Sequence, residues 1–109
     1  MKQIKVSEAT GPALDWLIAI CEGHKPATLV GLVCIDGAYH EDGYSPSTDW
    51  AQGGPIKEAH QINTTYRNGH VEATFKGHYG QGPTELIAAM RCYVASKFGE
   101  TSEVPEELA

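Results

Sequence analysis

Basic residues are scarce in this chain of 109 residues, with eight Lys and Arg against 14 Asp and Glu and a formal net charge of −6. A protein that grips nucleic acid through its phosphates releases counterions with a basic stripe, and no such stripe is present. Direct nucleic-acid binding is therefore not expected. Long apolar runs are missing as well: the longest, TLVGLVCI at residues 28–35, is far shorter than a bilayer span of about 20 residues. The opening MKQIKVSEAT has neither the apolar stretch nor the cleavage site of a signal peptide. The expectation is a cytosolic protein with no membrane partner.

Paired cysteine spacing is also lacking. Cys21, Cys34 and Cys92 are odd in number and far apart in apolar surroundings, which predicts buried free thiols and not a disulfide framework. Cys21 and His24 have a ligand-like spacing without a second pair to complete a zinc site. The five histidines are scattered, so no metal or other cofactor is expected. Ser47, Cys34, His40 and Asp49 are of catalytic type, but no spacing resembles a catalytic motif, and the expectation is a protein that is not an enzyme.

What is present is enough apolar residue, 41%, for one core. The expected organisation is a single globular domain over residues 1–99 and an acidic tail over 100–109, which carries Glu100, Glu103, Glu106 and Glu107 and no base. The expected fold is α+β, a small antiparallel sheet packed against two main helices at about 11–22 and 83–98. Thr10-Gly11-Pro12 opens the first helix, and Leu14, Leu17, Ile18 and Cys21 recur at helical spacing. Leu86, Met90, Tyr93 and Lys97, beside Ile87, Val94 and Phe98, give the second a broad apolar face that stops at Gly99. Residues 4–7 read as a short strand, 28–35 as a buried strand and 38–41 as a further one, with one or two helical turns between Pro55 and Ile62. Asn68-Gly69 reads as a hairpin turn joining strands near 63–67 and 70–76.

The segment YSPSTDWAQGGPI, residues 44–56, holds the densest mixture of hydroxyls, aromatics and turn residues. Ser45, Ser47 and Thr48 offer small donors and acceptors, and Gly53 and Gly54 permit close approach of a ligand to the main chain. Pro55 is expected to begin a helix and leave the preceding amides free for an anion. Trp50, Tyr44 and Tyr39 supply flat rings suited to a base or sugar face. Trp16 is a second stacking candidate, and Arg91 supplies charge if it points inward. An ordinary exposed loop uses many of the same residues, with Asp49 as a cap and Trp50 as a plug onto the core. GHYGQGP, residues 77–83, is a second glycine-rich segment before a proline, expected to face the same pocket or simply to connect a strand to a helix.

Three blocks of the sequence resemble the phage NinX family, small proteins of lambdoid phages and prophages with no established biochemical role. They are the Gly-Pro-Ala-Leu-Asp-Trp run ending at Trp16, the segment YSPSTDWAQGGPI, and LIAAMRCYVASKFG followed by Val104-Pro105. The resemblance implies an accessory protein acting in the cytoplasm of an infected bacterium. Together with the composition of residues 44–56 it leads to the expectation of a non-catalytic binder of a small nucleotide-like ligand, with pockets built across a homo-oligomer interface. Sequestration of a host defence second messenger is the use this context suggests. The alternative is a protein-interaction module that inhibits a host enzyme or modulates phage DNA metabolism.

Overall fold

The computed structural model describes residues 1–37 and 43–109. Among them are strand β1 (Lys2–Lys5), helix α1 (Gly11–Cys21), strands β2 (Pro26–Leu29) and β3 (Leu32–Ile35), and helix α2 (Trp50–Ala59). Strands β4 (Asn63–Arg67), β5 (His70–Phe75) and β6 (His78–Gly82), helix α3 (Glu85–Phe98) and strand β7 (Thr101–Val104) follow. The fold is α+β, with three small antiparallel sheets ordered β1-β7, β2-β3 and β4-β5-β6.

Helix α3 organises the core because its apolar stripe is wide enough to meet several elements at once. Leu86, Met90, Tyr93 and Val94 are buried, and they join Leu14, Leu17 and Ile18 of α1, Ile56 of α2, and Val71, Ala73 and Phe75 of β5 in the hydrophobic interior. Thr84 starts the helix by accepting a bond from the Ile87 amide through Oγ1 at 3.1 Å. Gly99, at φ 81°, ends it, its amide donating to the Ala95 carbonyl at 2.9 Å.

The Asn68-Gly69 hairpin forms as expected and pairs Arg67 with His70. A second two-residue turn, Lys76-Gly77, continues the meander and pairs Phe75 with His78, so most of the second glycine-rich segment is strand β6. Glycines make this possible. A Cβ at Gly80 would lie 2.7 Å from the Cys92 amide nitrogen, and one at Gly82 would lie 2.8 Å from Ile87 Cγ2, so β6 rests directly against α3.

Three expectations about the strands are corrected. Residues 28–35 are not one strand, because Val30 and Gly31, at φ 51° and 76°, turn the chain so that β2 pairs with β3 from Pro26↔Ile35 to Leu29↔Leu32. A β-branched residue rarely takes that conformation, so Val30 hides the turn within an apolar run. Residues 101–104, assigned to a solvated tail, instead form β7, which pairs with β1 from Lys2↔Val104 to Lys5↔Thr101 and buries Val104 completely. Strand β1 itself starts earlier than expected and gives way to a 3-10 turn at Val6–Glu8. The strand expected at 38–41, with Tyr39 and His40, lies outside the described residues.

Candidate functional site

The segment 44–56 is built around helix α2, which starts at Trp50, before the glycine pair and not after it. Asp49 caps the helix, its Oδ1 accepting from the Ala51 amide at 3.0 Å. Gln52 reaches back to close the loop: its Oε1 accepts from the Ser45 amide at 2.9 Å, and its Nε2 donates to Asp49 Oδ2 at 3.0 Å and Ser45 Oγ at 3.3 Å. Thr48 and Asp49 amides both donate to the Ser45 carbonyl, at 3.2 and 2.9 Å. The loop thus satisfies most of its own polar groups.

Gly53 and Gly54 lie inside α2, and the expectation that their amides stay free for an anion is corrected. The Gly53 amide donates to the Asp49 carbonyl at 2.8 Å. Gly53 is glycine because the loop crosses it: a Cβ there would stand 2.1 Å from the Pro46 carbonyl oxygen. At Gly54 the neighbour is softer, since a Cβ would meet Trp50 Cε3 at 3.4 Å. Gly54 therefore gives the Trp50 indole a flat seat one turn along the helix. Pro55 is an internal helix residue whose missing N–H leaves the Ala51 carbonyl without its helical donor.

Ser47 anchors the loop to α1. Its amide donates to Asp15 Oδ1 at 2.8 Å, and both residues are buried, at 0% and 3% exposure. Burial pushes the Asp15 carboxyl up to about 6, against the opposing pull of the Ser47 amide and hydroxyl. The Ser47 hydroxyl lies near enough to favour the carboxylate, yet outside hydrogen-bonding geometry with any group among the described residues. Out of solvent's reach, this pair holds the loop in place and offers no exposed nucleophile.

The remaining expected residues divide by position. Thr48 and Trp50 are exposed, Trp50 by 54%. Together with buried Ser47 they line a hollow of about 160 Å³ with Thr84, Leu86 and Ile87. Trp50 also borders a second hollow, of about 590 Å³, with Gly54, Pro55, Lys57, Glu58, Gln61, Ile62 and Asn63. Tyr44 is half-buried against the core, tied by its amide to the Val33 carbonyl at 2.7 Å and set edge-on to His24 at 5.7 Å. Trp16 also packs on the core, its buried Nε1 without a partner among the described residues. Arg91 lines neither hollow. Its Nε donates to the Ala9 carbonyl and its Nη1 to the Gln81 carbonyl, both at 2.8 Å, so it clamps the 3-10 turn to β6.

Lys57, Gln61, Asn63 and Thr84 were not singled out by sequence. The signal available for Thr84 was its cap position before α3; for the others, only proximity in the fold to Trp50 brings them into view. A separate cluster also escaped notice: the Glu22 carboxylate accepts from the Tyr93 hydroxyl at 2.5 Å and meets His60 Nε2 at 3.1 Å, while His60 stacks on Tyr93 at 4.5 Å. Glu22 and His60 cap the C-terminal ends of α1 and α2 and Tyr93 lies in α3, so the three share no sequence spacing. Cys21 and Cys92 are thiols whose ionisation burial opposes, pushed up to about 12 and about 11. Among the described residues no group of three His, Cys, Asp or Glu is placed to hold a metal ion. No helix among them is long and apolar enough to cross a membrane.

The surface around Trp50 presents an exposed indole, the Thr48 and Thr84 hydroxyls, the Lys57 ammonium together with the Glu58 carboxylate, and the side-chain amides of Gln61 and Asn63. No curated protein matches the sequence. The family profile described as Bacteriophage P22, NinX matches residues 5–97, and the chain belongs to that phage protein family.

Proposed function

We propose that the protein is a phage accessory protein that binds a small nucleotide-like ligand without catalysis, in the cytoplasm of the infected host. The observation that carries this reading is Trp50, half-exposed, seated on Gly54 and lining two separate hollows. A base stacks on the free indole, while Lys57, Gln61 and Asn63 meet phosphate or ribose and Thr48 supplies a hydroxyl. Ser47, Gly53 and Gly54 support this surface from beneath, and Trp16, Tyr44 and Arg91 hold the elements around it. Both hollows are open, so a second copy of the chain closing over Trp50 would give the burial that sequestration requires. Sequestration of a nucleotide second messenger made by a host defence is the use that fits a non-catalytic binder encoded by a phage.

The test is thermal shift against mononucleotides, cyclic dinucleotides and ADP-ribose derivatives. A ligand that raises the melting temperature of the wild type, and does so far less for Trp50→Ala, supports the reading; a flat response across the panel removes it.

One observation favours a second reading. Because the amides of residues 45, 47–49 and 53 are consumed by protein partners and Ser47 is buried, few main-chain donors face the hollows, and an exposed tryptophan in an open surface is also what a protein interface presents at its centre. On that reading the Trp50 surface docks a host enzyme and inhibits it, or modulates phage DNA metabolism. Co-purification of a host protein with the wild type and its loss with Trp50→Ala would establish it.

A further inference from the structure

Helices α1 and α2 end with the same pair of bonds. At α1 the Gly23 amide donates to the Ile20 carbonyl at 3.0 Å and the His24 amide to the Ala19 carbonyl at 2.9 Å. At α2 the Gln61 amide donates to the Glu58 carbonyl at 3.1 Å and the Ile62 amide to the Lys57 carbonyl at 3.0 Å. Both are Schellman caps, in which the residue after the C-cap takes a left-handed conformation; glycine is its usual occupant and asparagine the next. Gly23 follows that rule at φ 82°, and Gln61 breaks it at φ 53°. Val30, Asp36 and Lys76 also have positive φ, but each precedes a glycine in a turn, so among the described residues Gln61 is the one side chain held this way at a helix end. Its Cβ brings strain that glycine would remove.

The cap does not call for this side chain. The apolar contact that accompanies such a cap comes from the next residue, Ile62, which is buried. Gln61 is exposed, and its carboxamide has no hydrogen-bond partner among the described residues. It lines the larger hollow at Trp50, about 590 Å³, with Lys57, Glu58 and Asn63. That hollow lies at the C-terminal end of α2, the negative pole of the helix, and Glu58 adds a carboxylate against the single ammonium of Lys57. A polyanionic group is poorly received there. A neutral group that both donates and accepts suits a carboxylate beside a carboxamide, and a sugar diol does both.

We infer that Gln61 is a specificity residue of the Trp50 surface and that it selects ligands with a free ribose 2′,3′-diol. The inference rests on the nucleotide reading of Trp50 and narrows it. With the base stacked on the indole, the ribose lies over the hollow, where the Gln61 carboxamide donates to one hydroxyl and the Glu58 carboxylate accepts from the other. Lys57 remains for a single phosphate. Mononucleotides and ADP-ribose carry the free diol; cyclic dinucleotides, whose phosphodiester bonds occupy ribose hydroxyls, do not.

The probes are the four ribonucleoside 5′-monophosphates and their 2′-deoxy counterparts, titrated calorimetrically into the wild type and Gln61→Gly. The wild type is expected to bind at least one ribonucleotide about tenfold more tightly than its deoxy counterpart, as the loss of a hydrogen bond to a charged partner predicts. Gln61→Gly is expected to melt at or above the wild-type temperature, because glycine suits the cap, and to lose about tenfold in affinity for the ribonucleotide and far less for the deoxy form. Equal binding of the two forms by the wild type, or a ribose preference that survives in Gln61→Gly, would overturn the inference and leave the Trp50 reading standing. A lower melting temperature for Gln61→Gly would show that the cap needs the glutamine, and would overturn it too. So would a lack of binding by all eight probes, and the Trp50 reading falls with it only if cyclic dinucleotides and ADP-ribose derivatives also leave the wild type unchanged.

Discussion

Two glycine-rich segments precede prolines in this chain, residues 44–56 and 77–83, and they use glycine for the same physical reason to different ends. In the first, Gly53 lets a loop carbonyl cross a helix; in the second, Gly80 and Gly82 let a strand lie on α3. Neither set of glycines cradles a ligand with its amides. The segments differ in what they leave outside. The first projects an aromatic side chain, Trp50, on a surface whose main chain is consumed, whereas the second presents a sheet edge that Arg91 ties, through the Gln81 carbonyl, to the Ala9 carbonyl. Glycine enrichment thus marks close approach, and only the identity of the approaching atoms says whether those atoms belong to a ligand or to the protein.

The sharpest way to break that comparison is to add one methyl group to each segment. Gly53→Ala places a Cβ 2.1 Å from the Pro46 carbonyl oxygen, and Gly80→Ala places one 2.7 Å from the Cys92 amide nitrogen, both backbone atoms that cannot step aside. Each is expected to cost about 3 kcal/mol or more in denaturant unfolding, at the upper end of overpacking penalties. Unchanged midpoints would mean that the glycines serve something other than packing.

A second effect belongs to the first segment alone, through its buried anchor. The Asp15 carboxyl titrates at about 6 in the folded chain against an ordinary 3.8, so the folded state holds the proton more tightly. The resulting stabilisation is full below pH 3.8 and is lost as pH rises through 6, amounting to roughly 3 kcal/mol at about 1.4 kcal/mol per pH unit. Asp36 and Glu72, whose carboxyls are held below their ordinary values by bonds from the Lys25 amide and from His70, slope the other way. The comparison is therefore between variants: Asp15→Asn is expected to remove the fall in stability between pH 4 and 6 that the wild type shows relative to it. Parallel curves would place Asp15 in a more hydrated setting.

How much of this was legible beforehand depends on range. Helices α1 and α3 could be read because their signals are local: apolar spacing, an opening Pro12, a closing Gly99. The Asn68-Gly69 hairpin was equally local. The β2-β3 turn was not, because Val30 is a residue type that argues against the conformation it holds. Strand β7 was hidden by the glutamates in and around it, and its pairing with β1 joins residues about a hundred positions apart. At the site, Ser47, Thr48 and Trp50 were recognised as neighbours, but burial of Ser47 depends on Asp15; Lys57 shares the Trp50 face only because α2 starts at Trp50 and not at Pro55, and Asn63 and Thr84 reach Trp50 only through the tertiary fold.

The smallest effect separates the two glycines of one pair. Gly54→Ala meets Trp50 Cε3 at an ordinary 3.4 Å and gains helix propensity, so stability is expected to rise by up to about 1 kcal/mol where Gly53→Ala loses several times as much. Equal losses at both positions would show that the indole is not seated as described.

The central claim, that Trp50 is a recognition surface, is tested most directly by its own fluorescence. Trp16→Phe leaves Trp50 as the sole tryptophan, and titration of that variant with the nucleotide panel reports stacking at this one ring. The account predicts saturable quenching by at least one ligand, with the same ligand raising the melting temperature. Emission that stays unchanged across the panel, in a variant that folds as the wild type does, would contradict it.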